Sequence, residues 1–181
     1  MRNVLFALLL MLLGVGVRAA GLAGEKTVWL GNAAGERVAI GKLILTPVAA
    51  DRWKFAFHLD EKLLGEYFLA MRPFRCLVGP RQAICHFPYG TRDEVTSEDW
   101  SALEYQLLFI HKPPAGLSLD ARNGMFWKLK REGDRLVGTL WDADLDPIAT
   151  PVGPRVDQPL TAEYLQRADP NSHWLPLLTI E

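Results

Sequence analysis

Arg75-Cys76-Leu77-Val78-Gly79-Pro80-Arg81-Gln82-Ala83-Ile84-Cys85-His86-Phe87-Pro88 holds both cysteines of the 181-residue chain, separated by turn residues and flanked by apolar runs. The pattern predicts a β-hairpin. Setting Cys76 opposite Cys85 places Leu77 against Ile84 and Val78 against Ala83, an apolar register throughout. A two-residue turn at Pro80-Arg81 is excluded, because types I′ and II′ need φ above zero at the first position and proline is held at about −65°. A four-residue loop, Gly79 to Gln82, around a type I or II turn is expected instead. A Cys76–Cys85 disulfide, rather than ideal turn chemistry, then holds the register.

The N-terminus bears on whether that disulfide forms. Arg2 precedes an apolar run from Val4 to Val17, which ends in Val17-Arg18-Ala19, small residues at the positions a signal peptidase reads. The run is short of the ~20 residues needed to cross a bilayer as a helix. Residues 1–19 are therefore read as a secretory signal peptide, with Ala20 and Ala23 as alternative cut sites. No cysteine stands near the cut to take a lipid, and no second hydrophobic run predicts an integral membrane segment after cleavage. The expected location is periplasmic or secreted. An oxidising compartment makes pairing of two cysteines the expected state.

Residues 25–181 suffice for a single β-rich domain and are too few for two. Losing Arg2 and Arg18 with the leader leaves 18 basic and 21 acidic residues, a formal net of −3. That balance gives no bulk attraction to nucleic acid.

Upstream of the hairpin, Thr27 to Leu30 and Arg37 to Thr46 read as strands about a Gly31–Gly35 turn. Val38 and Ile40 share one parity and Leu43 and Leu45 the other, which predicts a β-bulge at Gly41-Lys42. Arg52 to Leu59 alternates cleanly, with Trp53, Phe55, Phe57 and Leu59 on one face. Downstream, Thr96-Ser97-Glu98-Asp99 resembles a capping box, and Trp100, Leu103, Leu107 and Leu108 recur at helical spacing, so an amphipathic helix over about 97–109 is predicted. A second hairpin joins Met125–Lys130 to Arg135–Trp141 about Glu132-Gly133, with Met125 opposite Leu140 and Trp127 over Gly138. Four prolines, at 147, 151, 154 and 159, argue for an extended strap. Thr161 to Arg167 is read as a short C-terminal helix and Trp174 to Ile180 as a last strand. The fold class is mainly β (α+β), a curved antiparallel sheet or small barrel.

Chemistry-bearing residues are sparse. From Tyr67 to Arg92 the chain carries Arg72, Arg75, Arg81 and Arg92 and no acid, a surface suited to an anion or an acidic partner. The bland alternative pairs these arginines with Asp93, Glu94, Glu98 and Asp99. Trp53, Phe55, Phe57 and Trp127 are candidate cavity-lining residues on a curved sheet, and otherwise core. Zinc held by Cys76, Cys85 and His86 with one of His58, His111 or His173 lacks a known spacing. The Asp142-Ala143-Asp144-Leu145-Asp146 run starts like a calcium loop but meets Pro147 and Gly153 where glycine and glutamate are needed. Neither a metal nor another cofactor is called for. No local hydrolase motif is present.

Met71-Arg72-Pro73-Phe74-Arg75-Cys76, followed by Cys85-His86-Phe87-Pro88-Tyr89, resembles a family of uncharacterised exported proteins of proteobacteria. The resemblance implies location and brings no activity with it. The expected function is non-enzymatic binding of a small ligand or an envelope component through the curved sheet and the arginine-bearing hairpin. An envelope hydrolase with a carboxylate- or histidine-based site is the alternative.

Overall fold

The computed structural model describes residues 21–69, 72–151 and 153–181, with backbone alone at 66–69 and 72–73. The expected signal segment, 1–19, lies outside the described residues. Among the described residues twelve strands form one sheet: β1 (Gly24–Gly31), β2 (Arg37–Ala49), β3 (Arg52–Leu59), β4 (Gly65–Leu69), β5 (Arg72–Val78), β6 (Ala83–His86), β7 (Glu94–Thr96), β8 (Phe109–Lys112), β9 (Gly124–Glu132), β10 (Arg135–Ala143), β11 (Leu165–Arg167) and β12 (Leu177–Ile180). Their order is β4-β5-β6-β8-β9-β10-β12-β1-β2-β3-β7, with β11 beside β10. The sheet is antiparallel and curls into a half-barrel, accompanied among the described residues by two short helices, α1 (Ser101–Gln106) and α2 (Asp146–Ala149). Among the described residues no helix is long and apolar enough to cross a membrane.

The stapled hairpin has the expected register, Cys76↔Cys85, Leu77↔Ile84 and Val78↔Ala83, and the disulfide is formed. Gly79 to Gln82 make the loop, across which the Gly79 N–H donates to the Gln82 carbonyl at 2.9 Å. The predicted bulge sits one residue early. Val28 faces Gly41 and Trp29 faces Ala39, so Ile40 is the extra residue, and the resulting switch buries Ile40, Leu43 and Leu45 together. At Gly41 any Cβ would stand 2.3 Å from the His58 carbonyl oxygen, which is why glycine follows the bulge.

The second hairpin differs in register by two residues. Its turn is Gly133-Asp134, with Gly133 at φ +68°, so Glu132 pairs with Arg135 and Trp127, rather than Met125, lies opposite Leu140. An even shift leaves every side chain on its predicted face. Trp127 still covers Gly138 from the diagonal position, 2.9 Å from where a Cβ would be.

The helix is shorter than its periodicity predicts. Thr96 ends β7, and its Oγ1 accepts the Asp99 N–H at 3.0 Å, closing a turn outside the helix. Asp99 then accepts from the Ser101 N–H at 2.9 Å at the helix start. Phe109, at the far end of the predicted helix, is claimed by β8, without which β6 and β9 would not be joined. The predicted C-terminal helix is a 3-10 turn, Ala162–Tyr164, running into β11.

Alternation on β8 and β9 divides the apolar residues between two clusters. Phe109, Met125 and Trp127 join the main core inside the curl, with Leu30, Leu43, Trp53, Leu103 and Leu178. Ile110 and Phe126 face the other way, into a smaller cluster with Tyr89, Tyr105, Leu145 and Leu160. That second cluster is covered by the proline-bearing strap, which Tyr89 ties down by donating its hydroxyl to the Val156 carbonyl at 2.6 Å.

Candidate functional site

Arg75, Arg81 and Arg92 occupy different neighbourhoods. Arg75 lies 3.7 Å from Glu61 on the preceding turn, and Arg81 donates to the His173 carbonyl at 3.2 Å. Arg92 meets Asp99 at 3.5 Å, Asp157 at 3.3 Å and the Ser101 hydroxyl at 3.0 Å. The side chain of Arg72 lies outside the described residues. Exposed ion pairs of this kind contribute about 0–1 kcal/mol, so they orient Arg75 and Arg92 without silencing them.

The aromatic candidates Trp53, Phe55 and Trp127 are buried in the main core, and Phe57 packs against it. Trp53 stacks on Trp100 at 5.8 Å, and Trp127 donates its indole N–H to the Pro176 carbonyl at 2.9 Å. These rings fill the curl.

Open space lies elsewhere. A cleft of about 480 Å³ is walled by Phe74, His86, Phe87, Pro88 and Tyr89 from the hairpin and by Ile148, Pro151 and Arg155 from the strap. A second, of about 470 Å³, shares Tyr89, Pro151 and Arg155 and runs on toward Asp144 and Asp146. Phe74 and Phe87 stack at 6.1 Å on one wall. The Arg155 guanidinium lies 4.3 Å above the Tyr89 ring, and among the described residues no carboxylate pairs with it. Burial holds the His86 imidazole below its usual pKa, against the opposing effect of the Gln106 carbonyl 2.8 Å from Nε2. The cleft is therefore walled mainly by aromatic and proline side chains, with polar surface between them and one exposed cation, Arg155, in its lining.

A third cleft, of about 310 Å³, gathers Glu98, Asp99, Ser101, Glu104 and Lys128. Burial pushes the Glu104 carboxyl up to about 7, although the Leu129 N–H donates to it at 2.7 Å and Lys128 favours its charge.

Three further groups converge behind the hairpin turn. His111 on β8, Asp142 on β10 and His173 just before β12 each place a ligating atom within 4.8 Å of the others. His173 Nε2 is 2.8 Å from Asp142 Oδ1, and the two imidazoles meet edge to face at 5.1 Å. Burial and the neighbouring His173 hold His111 below its usual pKa, with Asp142 opposing. The hairpin turn backs this cluster. Gln82 Nε2 lies 3.4 Å from His111 Nδ1 and donates to the Ser172 carbonyl at 3.2 Å, while Gln82 Oε1 accepts the Trp174 N–H at 2.9 Å. Both cysteines are consumed in the disulfide, which removes the metal arrangement built on Cys76 and Cys85. Sequence reading named His111 and His173 only as partners for those thiols. It missed their approach to Asp142 because 31 residues separate each histidine from that acid.

The molecule is a curled antiparallel β protein with a stapled hairpin at one flank. Neither a family model, a curated protein nor a solved structure matches the chain.

Proposed function

We propose that this chain is an exported, non-enzymatic binding protein of the bacterial envelope, and that its cleft between stapled hairpin and proline strap takes a small ligand with an apolar or aromatic body and an anionic group. The observation that carries the reading is Arg155, a cation without a carboxylate partner among the described residues, set on Tyr89 in the lining of an aromatic cleft of about 480 Å³. Clefts of roughly 300–1,000 Å³ with few polar groups are the usual small-ligand sites. Export is supported by the leader pattern at residues 1–19, by the disulfide and by the resemblance of the Met71–Tyr89 stretch to exported proteins.

Native mass spectrometry of the chain purified from the periplasm tests both parts. The expected result is a chain shortened by its leader that carries a small-molecule adduct, lost in Arg155→Gln while the fold persists by circular dichroism. An adduct retained in R155Q, or no adduct at all, overturns the ligand assignment; an uncut leader overturns export.

A hydrolase is the second reading, favoured by Glu104, whose carboxyl near neutrality suits general acid or base work. It requires turnover of an envelope glycan or ester that disappears in Glu104→Gln.

A further inference from the structure

We propose that His111, Asp142 and His173 bind one divalent transition-metal ion of the zinc class. The three come from separate elements yet bring two imidazole nitrogens and a carboxylate oxygen within 4.8 Å of one another. Zinc takes such donors at about 2.0–2.2 Å, which sets ligand atoms roughly 3–3.5 Å apart around the ion. One edge of the triangle, His173 Nε2 to Asp142 Oδ1, is already 2.8 Å. The longer edges close by small rotations of His111 and Asp142, neither of which is fully buried.

A second observation points the same way. His173 is 3% exposed, and its Nδ1 is buried without a hydrogen-bond partner. Only Trp141 Nε1 shares that condition among the described residues. A buried imidazole nitrogen without a partner carries an uncompensated desolvation cost, and native structures rarely retain one without a reason. A cation bound at Nε2, beside Asp142 and His111, supplies one, because admitting it turns the ring and moves Nδ1 out of its present place.

Donor chemistry narrows the ion. Imidazole suits zinc, cobalt, nickel and copper, whereas calcium and magnesium want oxygen alone. Three protein donors leave a coordination position open, and the Asp142 side chain, 41% exposed, marks the side from which solvent reaches it. The support behind the cluster is rigid. Gln82 contacts His111 and holds the chain on both sides of His173, and Arg81 donates to the His173 carbonyl. The stapled hairpin thus becomes the mount of a metal site.

The test uses the tag-free chain stripped with chelator, titrated with Zn²⁺ by calorimetry and with Co²⁺ by visible absorption. One equivalent of Zn²⁺ is expected, with Co²⁺ giving ligand-field bands of a low-coordinate nitrogen and oxygen site. His111→Gln and Asp142→Asn, checked for an unchanged circular dichroism spectrum, should each weaken Zn²⁺ by about 100-fold or more, since even outer-shell losses cost 10–100-fold. His58→Gln, on an exposed strand face, should leave binding intact. His173→Gln is expected to abolish binding, but its burial makes the two less buried variants the deciding ones. No binding of either ion, binding untouched in both H111Q and D142N, or Ca²⁺ binding as tight as Zn²⁺ overturns the assignment.

Discussion

Replacing Gly79 by alanine attacks the contact between the hairpin turn and the segment that precedes the last strand. A Cβ at this position would stand 2.3 to 2.4 Å from three atoms of the Trp174 ring. Ordinary contact begins near 3.4 Å, so the turn or the ring must retreat by roughly 1 Å. Trp174 is buried and is pinned at both ends, by its indole N–H to Glu36 Oε2 and by its backbone N–H to Gln82 Oε1, each at 2.9 Å. The ring therefore resists and the turn gives. Overpacking costs about 1–3 kcal/mol and the loss of the Gln82 bond about 1 more, a total of about 2–4 kcal/mol. For a domain of this size that lowers Tm by roughly 5–12 °C. Thermal unfolding followed by circular dichroism measures it. Gln82→Ala, which removes the bonds without a clash, should cost about 1–2 kcal/mol, and the double variant should lose less than the sum because both break one clamp. A Gly79→Ala variant within about 2 °C of the parent, or strict additivity, would refute the clamp.

Three other perturbations follow from the same structure. Removing the disulfide with Cys76→Ala and Cys85→Ala opens a loop of sequence separation 9 and should cost about 2.6 kcal/mol in urea unfolding; a loss under ~1 kcal/mol would mean that the strands hold register unaided. Because the Glu104 carboxyl is raised from 4.5 to about 7, its stabilising contribution is complete at pH below the lower value and is lost as pH rises through the upper one. Glu104→Gln should accordingly gain on the parent between pH 5 and 8, by an amount on the order of 3 kcal/mol, and a difference in unfolding free energy that ignores pH would sink the argument. Gly41→Ala drives a Cβ into the His58 backbone carbonyl, an obstacle that no side-chain rotation relieves, and should cost more than about 3 kcal/mol or prevent soluble expression.

Local patterns carried the stapled hairpin, the alternation of β3 and the existence of the bulge, because each is decided by residues within a few positions of one another. The Cys76–Cys85 register was legible because a covalent tie admits one alignment. The Met125–Trp141 hairpin had no such tie, and Glu132-Gly133-Asp134 supports a turn at either dipeptide, so faces were readable and register was not. Helical spacing at Leu103, Leu107 and Leu108 was genuine but ended early, since a local pattern carries no sign that β6 needs Phe109 to Lys112 as its neighbour. The insertion of β12 between β10 and β1 was invisible for the same reason, as were the convergence of His111, Asp142 and His173 and the pairing of Tyr89 with Arg155. Each depends on strand order rather than on spacing. The arginine interval was visible in composition, yet the structure disperses Arg75, Arg81 and Arg92 among different partners.

That central position of β12 has a kinetic meaning. Without Leu177–Ile180 the sheet is two ladders, one of β1, β2, β3 and β7, the other running from β4 to β10. A chain emerging N-terminus first leaves β1 and the Leu136–Gly138 stretch of β10 unpaired until β12 arrives to zip them together, β11 covering only the Trp141–Ala143 end of β10. Closure of the sheet thereby waits for a strand that follows all eleven others in sequence, so the pairing that joins the two ladders is also the one of longest range.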